Sequence, residues 1–372
     1  MRTTIAFLGL ALSLFRVSEA SKCGCSDVSF EVPVTGQNMV FSSPPDRTNQ
    51  AEVISFLREA WRGNFPATDG TTTVSGTFTI KGTYCVPTKS KTDMLEVLVH
   101  GITYNKSMWA GMGFGSQYDW YKYANSRGYA TLALDRLGHG DNPQHPDSVN
   151  IVQPQLQVDI LHRILASVRS TNSPVNALGR AFKKVVFVGH SYGSFIGSAL
   201  AAQYPADADA LILTAYSGYV NFAAMVDADW ASAATLNPAR FGGLDLGYIA
   251  LGSEKQRTAA FFDGGFDPAI PPVDYTYQDT LTPGEIGALP AILGPALEFK
   301  GAVLVATAVQ DALFCEEPAE KCEEHLAAAA EFFPSTEHYD YFAPDNTGHD
   351  LTLHYSAQDS FKRVHDWLDA KL

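Results

Sequence analysis

Residues Gly189 to Gly193 read G-H-S-Y-G and place Ser191 between two glycines. A serine hydroxyl is a weak nucleophile unless a sharp turn presents it to a general base. The preceding run KKVVFVG predicts a strand and the following run SFIGSALAAQY predicts a helix, which is the setting of a nucleophile elbow. We therefore interpret Ser191 as a nucleophile for acyl chemistry, the alternative being an ordinary glycine-rich turn.

A serine nucleophile needs a base to take its proton and a carboxylate to orient that base. Histidine serves best near neutral pH, and an aspartate at the end of a strand is a suitable partner. The candidate bases are His100, His139, His190, His325, His338, His349 and His354.

Short apolar runs between turn residues predict the strands that must position these groups. Such runs cover residues 95–100, 130–135, 184–189, 210–214 and 302–307, and they lack the alternation of a half-exposed strand. Residues 74–84 do alternate, as in an antiparallel strand or hairpin. Helical patterns cover 118–126, 156–168, 192–204 and 356–372. This order predicts an α/β fold with a doubly wound, mostly parallel sheet.

Residues 218–300 interrupt this alternation and are rich in Gly, Pro and aromatic residues. We interpret them as a helical cap inserted after strand six, because aromatic residues such as Trp230 and Phe261 argue against a disordered insertion. The predicted organisation is a signal peptide (1–20), an N-terminal extension (21–73), a core (74–217 and 301–372) and the cap (218–300).

The sequence resembles the α/β-hydrolase superfamily of serine esterases and lipases over about residues 75–372. Three pieces carry the resemblance: the elbow, a His-Gly pair at 100–101 after a strand, and the segment DRLGHGD at 135–141. The signal, the cysteines and the inserted segment most resemble secreted fungal members.

The resemblance implies a chain order of serine, acid and then histidine. Asp311 follows the run VLVATAVQ, as the family's acid follows strand seven. The alternative position after strand six holds no acid until Asp227. His349 lies in the segment NTGHD before the last helix and matches the family's Gly-His loop, with His338 and His354 as alternatives.

A tetrahedral oxyanion needs two backbone donors. The elbow geometry assigns the N–H of Tyr192, and the resemblance assigns that of Ile102, which follows His100 and Gly101. Asp135 precedes the nucleophile, so we expect it to hold its glycine-rich turn. Asn105 begins an N-K-S sequon near the same loop, and its glycosylation is left open.

Residues 1–20 combine Arg2, an apolar stretch and small residues at the end, which predicts a secretory signal peptide and an extracellular protein. Disulfides persist in that environment. Cys315 and Cys322 lie close enough in sequence to close a local loop, and Cys85 can then pair with Cys23 or Cys25. A metal site at Cys23 and Cys25 lacks a second close pair of ligands.

The composition is that of a globular protein, with 372 residues, 46% hydrophobic and 18% charged. A net charge of −14 argues against nucleic-acid binding, because the chain repels phosphate backbones. No long apolar segment predicts an integral membrane helix, and no motif indicates a cofactor or a metal.

The sequence therefore predicts a secreted serine hydrolase that cleaves a carboxylic ester, thioester or lactone of a small-molecule or lipid-like acyl substrate. One alternative uses the same triad in an acyltransferase, a lyase or a hydrolase of a secondary-metabolite pathway. Another is a non-catalytic binding protein on a hydrolase fold. The sequence leaves the oligomeric state open.

Overall fold

The computed structural model describes residues 24–90, 93–315 and 318–372. The predicted signal peptide and Cys23 lie outside the described residues. The strands are β1 (Cys25–Phe41), β2 (Thr68–Cys85), β3 (Met94–Val99), β4 (Ala130–Leu134), β5 (Lys184–His190), β6 (Ala210–Thr214), β7 (Trp230–Ser232), β8 (Ile249–Leu251), β9 (Ala302–Ala306) and β10 (Tyr339–Phe342).

Eight of these strands form one sheet in the order β1-β2-β4-β3-β5-β6-β9-β10. β2 runs antiparallel to both of its neighbours. The other six strands of this sheet, β4, β3, β5, β6, β9 and β10, are parallel to one another. The fold is an α/β-hydrolase fold with a mostly parallel sheet flanked by helices, as predicted.

Helices pack on the faces of the sheet and make up much of the inserted segment, residues 218–300. They are α1 (Gln50–Trp61), α2 (Trp120–Arg127), α3 (Pro154–Ser167), α4 (Tyr192–Gln203), α5 (Ala223–Val226), α6 (Ala233–Leu236), α7 (Pro238–Phe241), α8 (Glu254–Phe261), α9 (Ile270–Tyr277), α10 (Pro283–Gly287), α11 (Ala319–Ala328) and α12 (Ala357–Lys371). In the described residues, none of these helices is both long and apolar enough to cross a membrane.

The apolar runs became the inner strands because helices cover both faces of the sheet. Every residue of β3, β4, β6 and β9 is buried. α2 packs against β4, α4 against β5 and β6, and α12 against β9, which is consistent with strands covered by helices. The predicted runs agree with these strands to within one or two residues at each end.

The N-terminal region differs from the prediction, which assigned no strand before residue 74. β1 pairs with β2 along almost its whole length, and β2 begins at Thr68. Phe30, Val32 and Val34 alternate inward along β1. Pro33 is accepted because β1 lies at the edge of the sheet, where one side needs no backbone donor.

Residues 218–300 fold into short helices and a two-stranded antiparallel sheet of β7 and β8. The sequence predicts helices here and no strand, so the small sheet is a correction. The segment has its own apolar cluster around Phe241 and Ala250, and it also packs on the main core through Phe261 and Leu281.

Two cysteine pairs form disulfides in the described residues: Cys25–Cys85 and Cys315–Cys322. The first joins the start of β1 to the end of β2. It selects Cys25 over Cys23, the alternative that the sequence left open. The second closes a short loop just after Asp311.

Candidate active site

Ser191 occupies the sharp turn between β5 and α4. Its backbone has φ 54° and ψ −117°, a strained conformation for a residue with a side chain. The N–H of Ser191 donates to the carbonyl of Thr214 at 2.9 Å, which fixes the turn to β6. A Cβ added at Gly193 would lie 2.2 Å from the carbonyl oxygen of Val99, so only glycine fits there.

The ends of the central parallel strands are aligned at this edge of the sheet. Val99 pairs with Gly189, and His190 pairs with Thr214, which in turn pairs with Ala306. The loops that follow β3, β5 and β9 therefore begin close to one another. These loops carry Ile102, Ser191 and Asp311.

His349 and Asp311 are joined by a buried hydrogen bond. Nδ1 of His349 donates to Oδ2 of Asp311 at 2.9 Å. The other carboxylate oxygen of Asp311 accepts from the backbone N–H groups of Leu313 and Phe314 at 3.0 and 3.2 Å. Burial disfavours the charged imidazole, but the adjacent carboxylate outweighs that effect and raises the pKa of His349.

Two phenylalanine rings fix the plane of the His349 imidazole. The ring of Phe261 stacks at 5.3 Å between centroids and that of Phe314 at 5.7 Å, both with small interplanar angles. Phe261 belongs to α8 of the inserted segment, whereas Phe314 belongs to the loop of Asp311. The imidazole can therefore present its free nitrogen in only a narrow range of directions.

Ser191 lies on the same side of the sheet edge as this His–Asp pair. The ring of His190, the residue before Ser191, has its centroid 5.0 Å from that of His349. The turn that carries Ser191 and the His349–Asp311 pair are therefore neighbours at this edge of the sheet. Ser191, Asp311 and His349 are 6%, 0% and 3% exposed, so the site excludes bulk water.

The loop after β3 passes directly over the nucleophile. A Cβ added at Gly101 would lie 3.1 Å from the Cβ of Ser191, so Gly101 permits this close approach. Ile102 follows in the same loop, and Tyr192 is the first residue of α4. The loop of Ile102 and the first residue of α4 therefore adjoin Ser191, and the roles of their N–H groups as oxyanion donors stay predictions.

Hydrogen bonds from Arg136 and His100 hold this loop in place. The guanidinium of Arg136 donates to the carbonyls of His100 and Gly101 at 3.1 and 3.0 Å. Nε2 of His100 accepts from the N–H of Arg136 at 3.0 Å, so its Nδ1 carries the proton and donates to the carbonyl of Gly101. Burial, reinforced by the charge of Arg136, lowers the pKa of His100 well below its usual value and keeps it neutral.

A family model described as the alpha/beta hydrolase family matches residues 97–364. The chain belongs to the alpha/beta hydrolase family. No curated protein matches the sequence. Solved structures with a similar fold include an epoxide hydrolase from Vigna radiata, at 14% identity and a TM-score of 0.53, covering 79% of this chain and 95% of that one. A thermophilic esterase from Thermogutta terrifontis, with malate bound, shows 14% identity and a TM-score of 0.50, covering 78% and 94%. At this identity the likeness concerns the fold alone.

This alpha/beta hydrolase carries a second His–Asp pair beside the first, which the sequence did not predict. Nε2 of His190 bonds Oδ1 of Asp350 at 3.0 Å, and its Nδ1 bonds the hydroxyl of Thr214 at 3.0 Å. The hydroxyl of Tyr104 donates to Oδ2 of Asp350. Burial lowers the pKa of His190, although Asp350 partly offsets it. The sequence offered one signal, the aspartate directly after His349, but no pattern linked it to the elbow.

The inserted segment forms hydrogen bonds with Thr103, in the loop after β3. This residue has φ 56°, and both of its backbone groups are bonded to the segment: its N–H to the carbonyl of Thr280 at 3.1 Å and its carbonyl to the N–H of Asp279 at 2.8 Å. The guanidinium of Arg257 donates to the Thr103 hydroxyl at 2.9 Å. The position of the neighbouring Ile102 therefore depends on residues 218–300.

A second contact between the segment and the core centres on Glu285. Its buried carboxylate accepts from Arg136 and from His139, the latter at 3.0 Å. Burial alone would raise the pKa of Glu285, but these two groups reverse the effect and lower it. Arg136 therefore connects the inserted segment to the loop after β3, through Glu285 on one side and the carbonyls of His100 and Gly101 on the other.

Arg257 forms a buried ion pair with Asp274, with one of its two bonds at 3.0 Å. We expect Arg257→Met to lower the free energy of unfolding by about 3–5 kcal/mol, because it leaves a buried carboxylate unpaired. The double variant Arg257→Met/Asp274→Asn removes that charge and should recover part of the loss. Urea unfolding measures both variants. Equal losses in the two would contradict a role for the unpaired charge.

The other predicted candidates have structural partners or lie away from the site. Asp135 pairs with Lys106 at 2.6 Å and accepts from the N–H of Asp141 at 2.9 Å, which holds the turn. His354 accepts from the N–H of Gly348 at 3.1 Å and donates to the carbonyl of Asp350 at 2.7 Å. His338 and Asp227 are exposed. The carbonyl of His338 accepts from the N–H of Val303 at the start of β9, the opposite end of that strand from Asp311.

The side chain of Asn105 is half-buried and donates to Asp279 at 3.2 Å. Its glycosylation stays a prediction. Among the described residues, one possible metal-ligand atom from each of His190, His349 and Asp350 lies within 4.8 Å of the other two, a spacing that metal sites also show. These groups already bond each other or Asp311, so an ion would have to break those bonds.

Proposed function

We propose that this alpha/beta hydrolase is a serine hydrolase that cleaves a carboxylic ester, thioester or lactone through an acyl-enzyme on Ser191. One observation carries the proposal: the strained turn of Ser191 adjoins a buried, hydrogen-bonded His349–Asp311 pair, because the ring of His190, the preceding residue, packs 5.0 Å from that of His349. A serine with these two partners is the constellation for nucleophilic acyl chemistry.

The steps follow from the positions of these groups. Oγ of Ser191 attacks the acyl carbon while Nε2 of His349 takes its proton, and Asp311 holds the imidazole in the correct tautomer. The N–H groups of Tyr192 and Ile102 stabilise the oxyanion, with help from the N-terminus of α4. His349 then protonates the leaving alcohol, thiol or lactone oxygen. Water attacks the acyl-enzyme with His349 again as base, the bond between the acyl carbon and Oγ breaks, His349 returns the proton to Oγ, and the acid leaves.

Two further parts of the proposal concern the surroundings of the site. Residues 218–300 act as a cap, which is supported by their bonds to the loop of Thr103 and by the packing of Phe261 on His349. The protein is exported, which is supported by its two disulfides. The similarity to secreted fungal members rests on the cysteines, the signal and the cap together.

The activity should fall as the pH is lowered, because His349 must be neutral to accept a proton. Its pKa is raised above the usual 6.5, so kcat/KM should decline with a midpoint above that value. Hydrolysis of a p-nitrophenyl ester from pH 5 to 9 measures this limb. In Asp311→Asn the carboxylate is gone, and the midpoint of the residual activity should move to lower pH. If the midpoint of the acid limb were the same in Asp311→Asn as in the wild type, a group other than His349 would be titrating.

Labelling with a fluorophosphonate probe, followed by peptide mapping, tests the proposal directly. We expect one label, on Ser191, and loss of ester hydrolysis in proportion to labelling. A folded protein that takes no label and turns over no ester would favour the non-catalytic alternative. Product analysis with an added alcohol separates hydrolysis from acyl transfer.

A further inference from the structure

Tyr104 is a buried tyrosine in the loop after β3, two residues beyond the predicted oxyanion donor Ile102. Its hydroxyl donates to Oδ2 of Asp350. Burial raises the pKa of Tyr104 well above its usual value, so the hydroxyl keeps its proton and remains a donor. The steps of the proposed chemistry do not use this hydroxyl, although it lies among the loops that perform them.

The carboxylate of Asp350 connects this hydroxyl to the turn of the nucleophile. Its second oxygen, Oδ1, bonds Nε2 of His190 at 3.0 Å. His190 directly precedes Ser191, and Asp350 directly follows His349. The Tyr104–Asp350–His190 bridge therefore joins three loops: the one after β3, the elbow and the loop of the base.

The far end of this bridge is anchored in the sheet. Nδ1 of His190 bonds the hydroxyl of Thr214 at 3.0 Å, and that hydroxyl donates to the carbonyl of Gly189 at 2.9 Å. Gly189 and Thr214 belong to buried stretches of β5 and β6. The bridge thus fixes the loop after β3 relative to the central strands.

The ring of Tyr104 is packed as closely as its hydroxyl is bonded. The guanidinium carbon of Arg257 lies 4.5 Å from the centre of this ring, and the ring of Phe261 lies at 5.8 Å. Only Thr103, with φ 56°, separates Tyr104 from Ile102. A shift of Tyr104 is therefore passed to Ile102 across one residue whose backbone is already strained.

Packing alone does not require a hydroxyl at this position. A phenylalanine would fill nearly the same volume, whereas the hydroxyl of Tyr104 and the carboxylate of Asp350 both lose their hydration and need well-aligned partners. Burial alone would raise the pKa of Asp350, but its bonds with His190 and Tyr104 help to lower it, so the carboxylate is charged. A buried polar network with a partner for each member restricts its residues to one arrangement.

We propose that Tyr104 is a positioning residue, whose hydroxyl, bonded to Asp350, holds the N–H of Ile102 where the tetrahedral oxyanion forms. The inference rests on the proposed function, in which Ile102 supplies one of the two oxyanion donors. Tyr104 touches no reacting atom and acts through the loop that it fixes. An oxyanion donor is effective only at about 2.7–3.1 Å from the oxygen, so a loosened loop weakens binding of the transition state more than binding of the substrate.

Tyr104→Phe tests the proposal, because it removes the hydroxyl and keeps the ring. With a p-nitrophenyl ester, kcat should fall about tenfold and KM should stay within about twofold, a smaller loss than the 10²–10³-fold that removal of a donor causes. The affinity for an alkyl trifluoromethyl ketone, which forms a tetrahedral adduct with a serine, should fall by the same factor as kcat/KM. The acid limb of the pH profile should stay in place, since Asp311 and Asp350 both keep their charge.

Tyr129→Phe is the matched control. Tyr129 is also buried, and its hydroxyl donates to Oδ1 of Asp369 at 2.5 Å, so both variants lose a bond to a carboxylate. Tyr129 precedes β4, at the end of the parallel strands opposite to Ser191. This variant should keep the wild-type kcat and ketone affinity. Thermal unfolding of both variants separates a loss of stability from a loss of alignment.

The double variant Tyr104→Phe/Asp350→Leu tests whether the hydroxyl acts through the carboxylate. It should be no slower than Asp350→Leu alone, because the shared bond is already absent there. Losses that multiply would overturn the inference, as would a wild-type kcat in Tyr104→Phe, an unchanged ketone affinity, or an equal loss of kcat in Tyr129→Phe. Ester hydrolysis and ketone binding at the wild-type level in Ser191→Ala would instead reject the proposed function itself.

Discussion

Ser191→Ala should lower kcat for a p-nitrophenyl ester by about 10⁵-fold or more and abolish fluorophosphonate labelling. The hydroxyl is the atom that forms the acyl-enzyme, and no other side chain can replace it in the same turn. Some acceleration over water should remain, because the backbone donors of Tyr192 and Ile102 still polarise a bound carbonyl. Initial rates measured at high enzyme concentration give the residual activity of the variant.

The matched control is Ser198→Ala, on the same helix two turns later. Ser198 is buried and accepts only a long bond, at 3.3 Å, from the hydroxyl of Tyr216. Its replacement should leave kcat within a few-fold of wild type. Circular dichroism and thermal unfolding must show both variants folded. If Ser191→Ala retained most of the activity, a serine acyl-enzyme would be excluded.

The central strands could be predicted because a short stretch of sequence reflects their whole environment. A strand that is covered by helices on both faces must be apolar at every position, and a run as short as that of β9 favours a buried strand over a helix. β1 was missed although Phe30, Val32 and Val34 alternate along it. Pro33 within the run argues against a strand, because proline is tolerated only at the edge of a sheet, and the strand's partner β2 is distant in sequence.

The candidate triad could be located for a related reason. A serine in a glycine-flanked turn, an aspartate after a strand and a histidine before the last helix are each local features. The chain order of the resembled superfamily then connects them, and in the structure His349 bonds Asp311 and packs on the residue before Ser191. No such order links His190 to Asp350 or Arg257 to Thr103, which are 160 and 154 positions apart.

The inserted segment shows the limit of local patterns most clearly. Its helices are short, and several contain proline in the first turn, so neither length nor periodicity defines them. Its polar residues look like surface residues in the sequence. Glu285 and Arg257 are nevertheless fully buried, because their partners Arg136 and Asp274 come from other elements.

The relation of His349 to its two neighbouring carboxylates leads to the second large effect that we expect. Asp311→Asn should lower kcat by about 10⁴-fold with little change in KM, because an amide facing Nδ1 favours the wrong tautomer of the base. The 2.9 Å bond between these residues is the contact that the substitution alters. Steady-state kinetics at the pH optimum measures the loss, and unfolding experiments exclude a general loss of structure.

Asp350→Asn provides a matched comparison, since Asp350 is equally buried and adjoins the same histidine in sequence. Its carboxylate bonds His190 and Tyr104 rather than His349. Its replacement should therefore lower kcat far less than that of Asp311. It should act through the orientation of the elbow and through its charge, which contributes less than Asp311 to the raised pKa of His349, so the acid limb should move to lower pH by less than in Asp311→Asn. Equal losses in the two variants would mean that His190 and Asp350 share the work of the base, and the single-triad mechanism would have to be replaced by a coupled one.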